Sequence, residues 1–172
     1  MHRLSRWSSL PPRDRGIVIL LMFFLAVAFS LELHWIIYAA SLVARSKYDW
    51  IAYLYSIYGK ADPAYYDSVS SFTLGLETIN VFVTQILNVW LIWAIFGNRR
   101  YRYALQLAVG SYLTYSVVLY FWVFHLAGYA GMQGHSPYMF FVLIAPNLPW
   151  LCGYVYLTWD AYRAIVSAGP NR

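Results

Sequence analysis

The sequence predicts an all-α polytopic membrane protein, a four-transmembrane-helix bundle with both termini cytoplasmic. Three observations carry that prediction. Apolar residues make up 61% of the 172 and charged residues only 11%, against roughly 45–50% and about 25% in soluble domains. The few charges leave four apolar runs, from Ile17 to Val43, Val69 to Phe96, Tyr103 to His125 and Tyr138 to Ala164. Each run reaches the ~20 residues that a helix needs to cross a bilayer. Basic residues then mark one side: Arg3, Arg6, Arg13 and Arg15 precede the first run, Arg99, Arg100 and Arg102 separate the second from the third, and Arg163 and Arg172 follow the fourth. On the other side Arg45, Lys47 and Lys60 are matched by Asp49, Asp62 and Asp67, and the loop from Ala127 to Pro137 carries no charge. Positive residues collect on the cytoplasmic face, which orients the bundle.

The expected boundaries are a cytoplasmic segment over 1–15, one membrane domain over 16–166 and a cytoplasmic tail over 167–172. A signal peptide is a rival reading of the first run, because Arg13 and Arg15 lead into an A-x-A pattern at Ala26, Val27 and Ala28. That run outlasts a secretory h-region, and three more follow it. Cys152 is the single cysteine, so no intramolecular disulfide forms. The net charge of +5 sits in short clusters beside apolar runs. This reads as topology and not as a phosphate-binding face. The sequence has no internal repeat, no nucleotide-binding glycine motif and no Asn-x-Ser/Thr sequon.

Ionisable residues inside spans are costly and mark function. Glu32 on the first run and Glu77 on the second lie at similar depths, roughly 12–15 Å below the non-cytoplasmic face at 1.5 Å of rise per residue. Asn147 on the fourth run and Tyr115 on the third complete a polar layer at that depth. Thr73, Glu77, Asn80, Thr84 and Asn88 recur at helical spacing and form one stripe, which must face inward. Asn147, Trp150, Tyr154 and Thr158 form another, where Pro146 and Pro149 remove two N–H donors and so require protein or a wet cavity beside them. Glu32 and His34 diverge by about 160° around the first helix, and His34 shares its face with Ser30, Tyr38 and Ser41. Thr73, Thr84 and Asn88 read more readily as hydrogen bonds between helices. A lone carboxyl such as Glu77 is poor glue and, among apolar groups, a candidate proton donor. His125 and His135 read as solvated or structural, and Asp160 as a local partner of Arg163.

The segments LYSIYGKAD ending at Asp62, FTLGLETI around Glu77, QLAVGSYLTYSVVLYF and GHSPYMFFVLIAPNLPW running to Trp150 resemble the EXPERA-domain family. That family includes the emopamil-binding protein, a sterol double-bond isomerase, related terpenoid isomerases, and the sigma-two receptor. The resemblance covers about Leu54 to Ala161. It implies a cofactor-independent isomerase of a sterol or other polycyclic terpenoid, which protonates a ring alkene and removes a proton elsewhere so that the double bond moves, with or without skeletal rearrangement. By resemblance Glu77 matches a catalytic glutamate, Asn80 stands where the isomerase has a threonine, and Asn147 and Trp150 match residues lining the site. Trp150, Tyr115 and Tyr120 supply rings to stabilise a cation. No metal or nucleotide is implied.

Departures from the isomerase pattern fall on the first span, where Ser30 and His34 occupy the places of a His and a Glu and Glu32 lies between them. Val117 stands in place of an Asp, and Gln85 with Ile86 in place of a Gly-Pro pair. The expected catalytic set is therefore Glu77 with His34 in proton transfer, and Glu32 orienting His34 or touching a polar substituent. The expected substrate-binding set is Asn80, Tyr115, Tyr120, Asn147 and Trp150. Expected partners are the hydrophobic substrate and the lipid bilayer, not nucleic acid, with a homodimer left open. The expected location is the endoplasmic reticulum membrane. The alternative is a non-catalytic sterol- or lipid-binding protein of the sigma-two kind.

Overall fold

The computed structural model describes residues 7–168, so Arg3, Arg6, Arg172 and the ends of the expected terminal segments lie outside it. Three helices are long and apolar enough to cross a membrane: Pro12–Arg45, Ser71–Phe96 and Arg102–Leu126. A bent helix pair, Pro137–Ile144 and Leu148–Ser167, turned by 47° at the break, makes the fourth candidate span. These elements cover the four apolar runs apart from Val69 and Ser70, and no strand occurs among the described residues. The chain is a polytopic helical membrane protein.

Local chemistry sets where each element begins. Pro12 occupies the first turn of the first span, where a missing N–H costs nothing. Ser70 accepts from the Thr73 N–H at 3.0 Å to start the second span, and Ser136 accepts from Met139 at 3.3 Å to start the fourth. Each cap satisfies one of the N–H groups that a helix start leaves unpaired. Between the first two spans Asp49 caps a helix at Trp50–Tyr58, accepting from Ile51 and Ala52 at 3.0 and 3.3 Å. Asp62 then caps a short 3-10 turn, Pro63–Tyr65, through Ala64 at 3.0 Å.

Two spans carry a π-helical turn at mid-length, Ala28–Glu32 on the first and Asn80–Thr84 on the second, and these turns pack against each other. Such bulges insert an extra residue and shift helical phase, and they are frequent at functional sites. The break in the fourth span has a different cause. Pro146 and Pro149 cannot donate, and the Asn147 backbone N–H bonds Ile144 O at 3.0 Å. The Leu143 carbonyl is instead taken by the Asn147 side chain at 2.8 Å, so the bend leaves it satisfied.

Close packing holds together the half of the bundle that carries the arginine clusters. Ile17, Leu21, Phe24, Leu91, Ile95 and Leu157 are buried in one cluster joining the first, second and fourth spans. Gly110 lets the third and fourth spans meet: a Cβ there would lie 2.5 Å from Thr158 Oγ1 and 2.9 Å from the Thr158 N. At the edge of this half Arg102 grips Asp14 through two bonds of 2.9 and 2.5 Å, both residues being buried. Asp160 does not pair with Arg163 as its sequence neighbourhood suggests. It is held by Arg13 and by Gln106 Nε2 at 2.8 Å, because the buried side of the fourth helix carries Asp160 toward the first and third spans. A second cluster, including Trp35, Leu42, Ala52, Tyr120, Phe124 and Leu143, fills the other half beneath the Trp50–Tyr58 helix.

Candidate active site

Between these two clusters the spans enclose two adjoining cavities, of about 40 and 100 Å³. Glu32, Tyr65, Glu77, Asn147 and Trp150 line both. Two carboxyls from different spans therefore converge on one space walled by aromatic rings. The stripe on the second span does face inward: Thr73, Thr84 and Asn88 are buried, and Glu77 and Asn80 line the smaller cavity.

Glu77 is held by the loop after the first span. Tyr65 OH donates to Glu77 Oε1 at 2.5 Å, and Trp35 Nε1 donates to the Tyr65 carbonyl at 2.7 Å. Burial, together with the nearby Glu77 charge, pushes the Tyr65 phenol well above its ordinary pKa, which keeps it a donor. A second chain of bonds runs along the roof. Asn147 Nδ2 donates to Tyr58 OH at 3.1 Å, Tyr58 OH lies 2.9 Å from Tyr120 OH, and Tyr120 OH donates to Asp62 Oδ2 at 2.7 Å. Burial raises the Asp62 pKa, and the bonds from Tyr120 and the Ala64 N–H offset part of that rise. Ser116 Oγ donates to Asn80 Oδ1 at 3.3 Å on the opposite wall. Trp150 stacks on Phe24 at 4.5 Å between ring centres, which fixes its plane beside the cavity.

The expected residues divide accordingly. Glu77, Glu32, Asn80, Tyr120, Asn147 and Trp150 all line the smaller cavity. His34 does not border either cavity. Its Nε2 lies 2.8 Å from Asp49 Oδ2, a close ion-pair distance without hydrogen-bond alignment, and its ring packs on Tyr38. The place beside Glu77 that the sequence reading gave to His34 is held by Glu32, which ends the π-helical turn. Tyr115 is 61% exposed and borders an outward groove. Its depth and its ring had suggested it. The inward face of the third span is instead Leu113, Ser116, Val117 and Tyr120.

Sequence reasoning missed Tyr55, Tyr58 and Tyr65. The available signal was the tyrosine density of the segment from Tyr53 to Tyr66, in a loop where rings have no reason to accumulate unless it folds back onto the bundle.

The family model described as EXPERA (EXPanded EBP superfamily) matches residues 50–161. This stretch holds the Trp50–Tyr58 helix, the second and third spans, the last span as far as Ala161, and every cavity residue named above except Glu32 and Trp35. Among curated proteins, a 3-beta-hydroxysteroid-Delta(8),Delta(7)-isomerase of Mus musculus is 31% identical over 119 residues, covering 69% of this chain and 51% of that protein. The protein of the same name from Rattus norvegicus is 29% identical over the same shares. The chain thus spans about half the length of the curated relatives it matches. Matched from residue 50 to residue 161, the chain belongs to the EXPERA family.

Proposed function

We propose that the chain is an intramembrane isomerase of a sterol or related polycyclic terpenoid, resident in the endoplasmic reticulum, that moves a carbon–carbon double bond by proton transfer between two carboxyls. The observation that carries this reading is the convergence of Glu32 and Glu77 on one aromatic-walled cavity. The names of the two relatives give the same class of reaction.

The steps balance without any further reagent. The acid form of Glu32 donates a proton to one alkene carbon, which leaves a cation on the other. Glu77, aligned by Tyr65, takes a proton from the next carbon, and the electron pair of that C–H bond forms the shifted double bond. Exchange with water then returns Glu32 to its acid form and Glu77 to its carboxylate. Positioned acids and bases of this kind contribute typically 10²–10⁴-fold each. Faces of Trp150, Tyr58 and Tyr120 stabilise the cation between the two steps through their ring quadrupoles. In this scheme His34 is a positioning residue: through Asp49 it ties the first span to the start of the Trp50–Tyr58 helix, which roofs the cavity.

The cavities are smaller than the ~300–1,000 Å³ of pockets that enclose drug-sized ligands, so substrate enters by displacing side chains. An outward groove of about 390 Å³ shares Tyr55, Tyr58 and Pro146 with the larger cavity. Those residues form the gate for a substrate arriving from the bilayer. The test is to incubate the reconstituted protein with sterol and terpenoid alkenes and read the double-bond position in the recovered lipid. A shifted double bond is expected, and tight binding with the alkene unchanged would leave only a lipid-binding protein.

A further inference from the structure

Beneath the reacting carboxyls lies a buried polar cluster that the proton-transfer scheme does not use. Gln85 lines the floor of the smaller cavity and is 1% exposed. Its Nε2 donates to the Asn80 carbonyl at 3.3 Å, and its Oε1 accepts from Asn88 Nδ2 at 2.8 Å. Asn88 Nδ2 also donates to Tyr154 OH at 2.8 Å, and Tyr154 stacks on the Phe24 ring beneath Trp150. Asn88, Thr84 and Tyr154 are all 0% exposed.

Two atoms of this cluster, Asn88 Oδ1 and Thr84 Oγ1, are buried without a hydrogen-bond partner. A buried unsatisfied polar atom is costly, and native proteins keep few of them. Interhelical adhesion alone accounts poorly for the pair, since a packed polar interface satisfies its own groups. Gln85 also has hydrogen-bonding capacity beyond its two bonds above, because an amide offers two donors and two lone pairs.

From this cluster we infer that Gln85, held by Asn88 and Tyr154, is the specificity determinant that binds an oxygen substituent of the substrate, a hydroxyl or carbonyl at the end of the fused-ring skeleton remote from the reacting alkene. The inference rests on the isomerase reading of the cavity and deepens it. Gln85 follows Glu77 by eight positions, about 12 Å of helix rise. An oxygen on the Gln85 amide therefore lies along the ring system from the alkene and not beside it. The cluster adds orientation to the apolar grip of the walls: it fixes which end of the polycycle points toward the cytoplasmic half, and hence which alkene carbon meets Glu32.

Binding to the full chain in lipid nanodiscs tests this with matched pairs of probes: a Δ8 sterol carrying its 3β-hydroxyl and the same sterol without it, and a non-steroidal polycyclic terpenoid with and without its hydroxyl. In the unaltered protein the oxygenated member of at least one pair binds about tenfold or more tighter, as expected where the analogue leaves a buried polar group unpaired. Gln85→Met keeps the volume and removes the amide. It is expected to bring the two members within about twofold while leaving the deoxy affinity unchanged. Asn88→Ala frees the Gln85 amide and is expected to weaken discrimination in the same direction. It also stands in if Gln85→Met does not fold. A preference for oxygen that survives both substitutions, or a loss of thermal stability with discrimination intact, overturns the inference and leaves the isomerase reading standing. Failure of the unaltered protein to bind any of the four probes overturns the reading itself.

Discussion

Tyr65→Phe isolates one hydrogen bond at the centre of the site. The substitution removes only the hydroxyl that donates to Glu77 Oε1 at 2.5 Å. The ring keeps its neighbours, with Trp35 and Tyr58 each at 5.1 Å and Tyr120 at 5.8 Å between centres. The Trp35 bond to the Tyr65 carbonyl is likewise untouched. A hydrogen bond to a charged group is worth about 1.5–3 kcal/mol, and each 1.36 kcal/mol is tenfold in rate, so kcat should fall by about 10- to 150-fold. KM should change little, because the bond is made within the protein and not to substrate. Turnover of the accepted alkene is measured in nanodiscs for the wild type, Tyr65→Phe, Glu77→Gln and the double variant. If Tyr65 acts through Glu77, its removal costs little once Glu77 is already Gln. An equal loss in both backgrounds would show that Tyr65 acts on the substrate or the loop instead, and no loss would refute the assignment of Glu77 as the base.

Glu77→Gln and Glu32→Gln should each lower kcat by about 10²–10⁴-fold while hydrophobic ligand still binds; near-normal turnover in either returns that residue to a packing role. His34→Ala, in contrast, should retain turnover within about tenfold and raise KM, because His34 borders Asp49 and neither cavity; a variant as inactive as Glu32→Gln would restore His34 to the proton path. Asp14→Asn should cost about 3 kcal/mol or more of stability, read by thermal unfolding, since it leaves the buried Arg102 charge without its counter-ion. The Asp49 pKa lies below its ordinary value: burial opposes the charge, but the Ala52 and Ile51 N–H groups and His34 outweigh it. Its contribution is therefore present above the unfolded carboxyl pKa and lost as pH falls through the lowered one, and Asp49→Asn should flatten the acid limb of thermal stability.

The bundle was legible in the sequence because hydrophobic length and arginine placement are set by the bilayer and not by tertiary detail. The break in the fourth span was legible for a similar reason, since Pro146 and Pro149 remove donors wherever they stand. Inward stripes on the second and fourth spans could be read from helical phase. Phase is least reliable where the helix itself departs from α geometry: the first span carries a π-helical turn that ends at Glu32, which borders the cavity, whereas His34, two positions on, turns to Asp49. Depth and an aromatic ring do not say which way Tyr115 faces, and it is Ser116 one position on that meets Asn80. The tyrosine roof showed in the sequence only as a density of rings, because the partners of Tyr55, Tyr58 and Tyr65 come from other spans and are fixed only when the loop folds back over the cavity.

The central claim is proton transfer between Glu32 and Glu77 inside the membrane, and turnover of a polycyclic alkene in deuterated water tests it most directly. The recovered product should carry deuterium on the ring carbon that was protonated, with the double bond moved to the neighbouring position, and both changes should vanish in Glu32→Gln and Glu77→Gln. A shifted double bond without ring deuterium, or deuteration that persists in both variants, would contradict the account.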